Sequence, residues 1–481
     1  MDFRPIFLVL GLLVAALGLV MFIPAIADLV ADHEDWRIFT ASGFATLLIG
    51  ALTMLANRGG PTTLTVRQAF LLTTLAWVAL AAFGALPFVF SHLGLSYAEA
   101  YFEAMSGLTT TGATVIVGLD EAPPGILLWR ALLHGVGGIG IVVMAVAVLP
   151  FLRVGGMQLF RMESSDKSEK LMPKAAQMAL AIILVYFGLA ILCTLALWLA
   201  GMNAFDAVCH ALATVSTGGF STKDASVGYF DSDVIDWILV VFMLSGGLPL
   251  TYYVRVLGEG WGAARKESQP RTFLSVVAVI VVVLSLWAWQ VADYPLDYAF
   301  HHVAFSVASI ITTTGFVTVD YSEWGDAMML AMLLVTCIGG CTGSTSGGIK
   351  IFRWQILLRY IRAQLSLMFQ PNRVITLRYD QTAYTPEVTL SVITFIAVYF
   401  VSMGGLSMLV ALTGVDFLSA LSGTAAAMAN VGPGLGKVVG PAGTYQPVPE
   451  ATKWLLSVAM LIGRLEIFTI LVLFTRNFWR R

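Results

Sequence analysis

Charged side chains are scarce in this sequence. Asp, Glu, Lys and Arg make up 12% of its 481 residues, whereas 58% of the residues are hydrophobic. A soluble protein of this length could not cover its surface with so few polar groups. The formal net charge is −2 at pH 7, and no basic domain indicates a nucleic-acid partner. The composition therefore excludes an ordinary soluble fold.

Residues that build catalytic or metal centres are also few. All four cysteines lie in or beside apolar segments, where free thiols pack as small hydrophobic side chains. Cys337 and Cys341 are close in sequence, but no second pair and no nearby histidine completes a metal site. The stretch GVGGIG (135–140) has the spacing of a dinucleotide-binding motif, yet it lies inside an apolar run with no strand before it. We therefore expect neither an enzyme nor a covalent cofactor.

Apolar runs long enough to cross a membrane are abundant. A helix needs roughly 20 residues to span the hydrocarbon core of a bilayer. Runs of this kind lie at 6–29, 38–56, 70–91, 175–200, 272–292 and 387–413. They predict an all-α polytopic membrane protein surrounded by lipid.

A short polar motif recurs between the apolar runs. Its copies are Thr110-Thr111-Gly112, Ser216-Thr217-Gly218, Thr313-Thr314-Gly315 and the degenerate Asn430-Val431-Gly432. Consecutive copies are about 100 residues apart, which is too long for a solenoid and suits a two-helix membrane unit. Each copy follows a partly polar stretch of about 14 residues, too short to span the bilayer, which favours a re-entrant half-helix. We call the four copies the Thr/Gly loops.

These features predict a repeated unit of helix, half-helix, Thr/Gly loop and second helix. The predicted divisions are a two-helix leader at 1–69, repeat 1 at 70–173, repeat 2 at 174–271, repeat 3 at 272–378 and repeat 4 at 379–481. Basic residues concentrate between the repeats, at 153–174, 255–271 and 353–378. By the positive-inside rule these segments and both termini face the cytoplasm, so the Thr/Gly loops enter from the opposite side.

The chemistry of the Thr/Gly loops favours a cation. Non-helical backbone at membrane depth must be buried in protein or line a wet cavity. Half-helices that end at a common axis direct their partly negative C-terminal ends towards it. Glycine permits the backbone angles that turn carbonyl groups inward, and threonine adds a hydroxyl acceptor. The sequence therefore predicts a pseudo-fourfold ring of oxygens like that of a potassium channel.

Two further features interrupt the apolar pattern. Residues 339–348 include five glycines in what should be a long span, and such a stretch cannot remain helical. Arg464 is the one basic residue that the pattern places deep in a span, and an intramembrane charge is functional by default. The alternative is an ion pair with Glu466 or another carboxylate, although residues two apart on a helix do not face each other.

The motifs TTTGA, STGGF, TTTGF and NVGPGLG, with CTGSTSGGIK (341–350) and GRLEIFT (463–469), resemble the Trk/Ktr/HKT superfamily of potassium transporters, most closely its TrkH-type pore subunits. The resemblance covers essentially the whole chain. It implies that the Thr/Gly loops form a potassium selectivity filter and that an intramembrane loop gates the pathway. The implied gate consists of Gly343, Ser344, Thr345, Ser346, Gly347 and Gly348, with Arg464 as an electrostatic barrier.

The resemblance also implies partners and a location. It places the chain in the bacterial cytoplasmic (inner) membrane as a homodimer regulated by a cytosolic, TrkA-like nucleotide-binding subunit. Because Gly112 is present in the first loop, the resemblance implies a preference for K⁺, with Rb⁺ accepted and Na⁺ less favoured. A symporter coupled to H⁺ or Na⁺ is the alternative, since broken helices occur in such transporters too.

Overall fold

The computed structural model describes residues 1–59, 64–147, 171–260, 262, 267–380 and 382–480. Six helices in this part of the chain are long and apolar enough to cross a membrane, or up to eight if two sharply bent pairs each count as one span. Two strands of two residues each, Arg378–Tyr379 and Thr382–Ala383, pair in an antiparallel hairpin. The all-α polytopic prediction is confirmed. The basic segment at 153–170 and residues 265 and 266 lie outside the described residues.

The leader consists of two membrane helices held together by close backbone contact. The first is Arg4–Val20 continued by Phe22–Val30, and the second is Trp36–Ala56. A Cβ added at Gly11 would lie 2.6 Å from the backbone nitrogen of Met54, and one at Gly18 would lie 2.6 Å from that of Leu47. Small residues thus let the backbones approach, which is how helices associate where no water is present to drive them together.

Each repeat begins with a long apolar helix. These first helices are Val66–Gly84 continued by Leu86–Phe90, Leu171–Leu199, Ser268–Gln290 and Pro386–Ala411. The helices at Val66 and Ser268 begin ahead of the predicted boundaries at 70 and 272.

A short half-helix follows in every repeat, as the sequence predicts. The half-helices are Tyr97–Leu108, Ala204–Val215, Leu296–Ile311 and Phe417–Ala429. Three of them begin at a side-chain cap, in which Ser96, Asn203 or Asp416 accepts the backbone N–H three residues on. Such caps satisfy N–H groups that a helix end leaves without partners.

The second helices differ from the prediction of continuous spans in repeats 2 and 4. They are Pro124–Ala147, Asp233–Gly247 with Leu250–Glu259, Asp326–Thr336 with Ile351–Phe369, and Glu450–Arg464 with Ile467–Leu471. The pair in repeat 2 bends by 89° and the pair in repeat 4 by 110°. Pro249 explains the first break because proline disfavours helix in the residue before it. At the second break, Glu466 has a left-handed φ of 60°.

The break in repeat 3 is the glycine-rich loop at 339–350, as predicted. Leu250 donates its backbone N–H to Gly343 at 3.0 Å, and Cys341 donates to Gly247 at 2.9 Å. At the bend, the second helix of repeat 2 therefore forms backbone hydrogen bonds with the glycine-rich loop, using N–H and C=O groups that would be paired within an unbroken helix.

The remaining elements are short. They are the helices Gly436–Val439 and Arg476–Trp479 and the 3₁₀ turns Leu119–Glu121, Ser226–Phe230, Tyr321–Trp324 and Val472–Phe474.

Candidate functional site

The four Thr/Gly loops share one unusual backbone conformation. A left-handed residue follows each half-helix, and a glycine of positive φ comes two residues later. The left-handed residues are Thr110 (φ 52°), Thr217 (54°), Thr313 (60°) and Asn430 (58°). The glycines are Gly112 (81°), Gly219 (80°), Gly315 (84°) and Gly432 (102°). Left-handed threonine is strained and persists only where the surroundings fix it, so its recurrence marks a shared function.

The alignment of the second loop needs a correction. The sequence pairs Gly218 with Gly112, but the structural counterpart of Gly112 is Gly219, because Thr217 matches Thr110. Gly218 instead takes the place of Thr111. The backbone hydrogen bonds agree: Thr111 donates to Ser106 at 2.8 Å, and Gly218 donates to Ala213 at 2.7 Å. The sequence cannot show which of two adjacent glycines corresponds to Gly112, whereas the backbone angles can.

The loops meet in a closed ring. A Cβ added at each of the four glycines would collide with the carbonyl oxygen of the residue before the matching glycine in the next loop. The colliding pairs are Gly112 with Gly218, Gly219 with Thr314, Gly315 with Val431 and Gly432 with Thr111. Loops about 100 residues apart in sequence thus surround one axis in chain order, and glycine is required where they touch.

The carbonyl oxygens in this ring have no competing donors. No hydrogen bond among the described residues uses those of Thr111, Gly218, Thr314 or Val431. Buried carbonyl groups are almost always paired. Four equivalent unpaired carbonyls on one axis are therefore available to a ligand, and oxygen atoms suit a hard cation.

Buried ion pairs support the ring from the side on which the half-helices enter. Arg130 donates from Nε to Glu103 at 2.8 Å, and from Nη1 to the carbonyl of Ser221, beyond the second loop, at 2.6 Å. Glu103 also accepts from the backbone N–H of Val115 at 2.9 Å. Because Arg130 links the first two loops, the pair fixes their relative position.

A second pair joins the ends of the ring. Lys453 donates to Glu99 at 2.8 Å, which connects repeat 4 to repeat 1. Asn430 donates to Thr111 Oγ1 and to the carbonyl of Met460, each at 3.0 Å. Both cations are buried, since Arg130 is 1% and Lys453 2% exposed.

His134 ties the first and second loops together through neutral hydrogen bonds. Its Nδ1 lies 2.8 Å from the carbonyl of Gly107, and its Nε2 accepts the backbone N–H of Phe220 at 3.1 Å. Arg130 and His134 lie four residues apart, on one face of their helix. That spacing is the signal in the sequence that could have identified both as supports.

The glycine-rich loop lies directly against the other side of the ring. Ser346 Oγ donates to the carbonyl of Thr312 at 2.7 Å, and the Gly347 N–H donates to Thr313 Oγ1 at 2.8 Å. Thr345 Oγ1 donates to the carbonyl of Val215 at 3.0 Å. The loop therefore contacts the ends of the second and third half-helices.

Arg464 contacts the glycine-rich loop. Its Nη1 donates to the carbonyl of Thr345 at 2.8 Å, while Nε and Nη2 have no partner among the described residues. The alternative pairing with Glu466 is wrong, because Glu466 binds Arg353 at 2.6 Å. Two further cations, Lys350 and Arg353, are buried nearby.

Two cavities flank the ring. The first is lined by Gly112, Gly219 and Gly315 together with Lys223 and Asp224, among others. The second, on the side of the glycine-rich loop, is lined by Ser346, Gly347, Gly348, Arg464 and Glu466, among others. The ring therefore faces the first cavity, and the glycine-rich loop separates it from the second. The described residues hold no cluster of His, Cys, Asp or Glu that could bind a metal ion.

Comparison with known proteins identifies the family. Residues 37–481 match the family described as TrkH, cation transport protein. The Trk system potassium uptake protein TrkI of Halomonas elongata is 42% identical over 479 residues, covering 99% of this chain and 97% of the relative. TrkH of Escherichia coli K12 is 40% identical over 489 residues, covering 100% of both chains. The crystal structure of the potassium transporter TrkH from Vibrio parahaemolyticus matches with a TM-score of 0.92 at 38% identity, covering 100% of both chains. The chain belongs to the TrkH family of cation transport proteins.

Proposed function

We propose that this protein takes up K⁺ across the bacterial cytoplasmic membrane through a pore on the axis of the Thr/Gly loops. The observation that carries the proposal is the closed ring of four unpaired carbonyl groups. Two named relatives are Trk system potassium uptake proteins, and the structural neighbour is a potassium transporter.

The proposed selectivity filter works by replacing the hydration shell of the ion with protein oxygens. Its residues are Thr110, Thr111, Gly112, Ser216, Thr217, Gly218, Thr313, Thr314, Gly315, Asn430, Val431 and Gly432, to which we add Gly219 on the grounds of its backbone angle. The half-helices point their negative ends at this ring, which stabilises a cation there. Rb⁺, which is close to K⁺ in size, is accepted, and Na⁺ is less favoured.

The proposed gate lies below the filter. Its residues are Gly343, Ser344, Thr345, Ser346, Gly347, Gly348 and Arg464. The glycine-rich loop fills the path, and the charge of Arg464, 3% exposed, raises the electrostatic cost of a passing cation. The multiple glycines give the loop the freedom to move aside.

Regulation and assembly follow from the same resemblance. We propose a homodimer in the inner membrane, with both termini in the cytoplasm and a TrkA-like nucleotide-binding subunit docked on the basic segments. Exposed arginines in the described part of those segments include Arg255 and Arg373. Direct coupling to H⁺ or Na⁺ is less favoured, because Glu466, the carboxylate that such a mechanism would use, is bound to Arg353.

Rubidium uptake into proteoliposomes tests the proposal. Excess external K⁺ should suppress Rb⁺ uptake, and the same concentration of Na⁺ should suppress it far less. Empty liposomes provide the control. Equal suppression by Na⁺ and K⁺ would show that the ring does not select for K⁺.

A further inference from the structure

The glycine-rich loop holds the third Thr/Gly loop more tightly than it holds the first. In the third loop, the carbonyl of Thr312 accepts from Ser346 and the hydroxyl of Thr313 accepts from Gly347. In the first loop, the equivalent hydroxyl of Thr110 has no partner among the described residues. The third quarter of the ring thus accepts hydrogen bonds from the glycine-rich loop at a position where the first quarter accepts none among the described residues.

The difference does not come from the threonines themselves. Thr109 Oγ1 lies 2.8 Å from Thr111 Oγ1, and Thr312 Oγ1 lies 2.8 Å from Thr314 Oγ1. Both quarters therefore have the same internal geometry. The glycine-rich loop adds an external support to one of them.

The supporting contacts act on the strained part of the filter. Thr313 has a left-handed φ of 60°, and a strained residue keeps its conformation only while its neighbours fix it. Gly347 also lies against the backbone of Ala429, where an added Cβ would collide with the carbonyl oxygen. One short segment therefore fixes the third loop and packs on the start of the fourth.

We propose that Ser346 and Gly347 are positioning residues for ion selectivity. Through their hydrogen bonds to Thr312 and Thr313, they hold the third filter segment in its selective shape. Displacement of the glycine-rich loop then does two things: it clears the path and it loosens the filter. The proposal rests on the proposed role of this loop as a gate and adds selectivity to that role.

Ser344 is a matched control for Ser346. Both side chains are 2% exposed and belong to the same loop. The hydroxyl of Ser344 donates to the carbonyl of Cys341 at 2.6 Å and accepts the backbone N–H of Ser346 at 3.3 Å, both within the loop, whereas the hydroxyl of Ser346 donates to the filter. Ser344→Ala and Ser346→Ala remove the same atom from the same surroundings, but only the second removes a contact with the ring.

The experiment measures how strongly Na⁺, relative to K⁺, competes with Rb⁺ uptake into proteoliposomes holding the full-length protein. We expect Ser346→Ala to lower the K⁺ preference about two- to tenfold, the range that corresponds to the loss of one hydrogen bond. Ser344→Ala, which removes contacts within the loop only, should lower the K⁺ preference clearly less than Ser346→Ala does, even where its uptake rate changes. Equal ratios in the two variants would overturn the proposal.

A second pair of variants keeps the test decisive if Ser346→Ala does not fold. Thr313→Ser retains the oxygen that accepts from Gly347, and Thr313→Val lacks it. The valine variant should lose K⁺ preference and the serine variant should retain it. If both variants retain it, the inference is wrong.

The uptake rate separates this inference from the proposed function. If Ser346→Ala takes up Rb⁺ faster than the wild type but keeps its K⁺ preference, the result supports the proposed gate and refutes the positioning role. A wild-type protein without K⁺ preference would instead refute the proposed filter.

Discussion

The two sides of the ring are held by different kinds of interaction. On the side where the half-helices enter, buried charges link the repeats: Arg130, paired with Glu103, donates to the carbonyl of Ser221 in repeat 2, and Lys453 of repeat 4 pairs with Glu99. On the opposite side, hydroxyl and backbone groups of the glycine-rich loop form neutral hydrogen bonds. Breaking a buried ion pair leaves an unpaired charge, at a cost several times that of a neutral hydrogen bond. The ion-paired side is thus a rigid frame. The side that faces the glycine-rich loop is exchangeable, because its weaker hydrogen bonds can break and re-form.

The largest effect is expected where the rigid frame loses a charge. Arg130→Ala leaves Glu103 buried without its cation, which costs about 3–5 kcal/mol of folding free energy. The variant should unfold at a much lower temperature in detergent and lose Rb⁺ uptake. Lys223→Ala provides the control, since Lys223 pairs with the more exposed Asp120 at 3.4 Å and contributes at most about 1 kcal/mol. Equal stability of the two variants would show that the buried pair stabilises the fold no more than the exposed pair does, which would contradict the rigid frame.

A second change acts on the ring itself. Gly112→Ser places a Cβ against the carbonyl oxygen of Gly218, and the loops must move apart. We expect the K⁺ preference in competed Rb⁺ uptake to disappear. Gly118→Ser is the matched control: Gly118 has a φ of 80° against 81° for Gly112, but an added Cβ meets nothing within 4 Å. A loss of K⁺ preference in both variants would point to backbone strain rather than collision.

A third change weakens the exchangeable side. Deleting part of 341–348 should raise Rb⁺ uptake in the absence of any cytosolic partner, because the path no longer meets the loop. Arg464→Gln should raise it by a smaller factor, since it removes only the charge. Arg476→Gln, on an exposed arginine near the end of the chain, should leave uptake as it was. Reduced uptake by a well-folded deletion variant would argue against a gate.

The smallest effect is expected at a helix cap outside both sets of contacts. Asp416 accepts the backbone N–H of Ser419 at 3.0 Å, and this hydrogen bond lowers the pKa of the Asp416 carboxyl. Asp416→Ala should cost about 1 kcal/mol of folding free energy at neutral pH, whereas Asp416→Asn keeps an acceptor and should cost little. Since the folded-state pKa is lowered, the charge-dependent part of the stabilisation is present above the usual pKa of Asp and is lost as the pH falls through the lowered value. Thermal unfolding at neutral and acidic pH measures both.

Local patterns were sufficient to predict much of the architecture. The recurrence of the Thr/Gly loops and the short half-helices before them predicted four similar units, because both features depend on residues close in sequence. The glycines of 339–348 predicted a break for the same reason. Arg464 drew attention because a charge in an apolar run is visible without a structure, and the structure places it against the glycine-rich loop.

Features that depend on distant residues were missed. Arg130 lies near the start of its helix and its partner Glu103 belongs to a different helix, so their pairing is not visible in the sequence. The bend at Glu466 has no proline beside it, and Gly463 alone does not predict a turn; the ion pair of Glu466 with Arg353, a residue distant in sequence, holds the chain where it turns. Gly218 and Gly219 could be told apart only by their backbone angles.

Anomalous diffraction from crystals grown in Rb⁺ tests the central claim most directly. The ring predicts an anomalous peak on its axis, beside the carbonyl oxygens of Thr111, Gly218, Thr314 and Val431. The peak should weaken when K⁺ replaces Rb⁺ and persist when Na⁺ is added in equal amount. Rb⁺ peaks found only away from the ring would contradict the account.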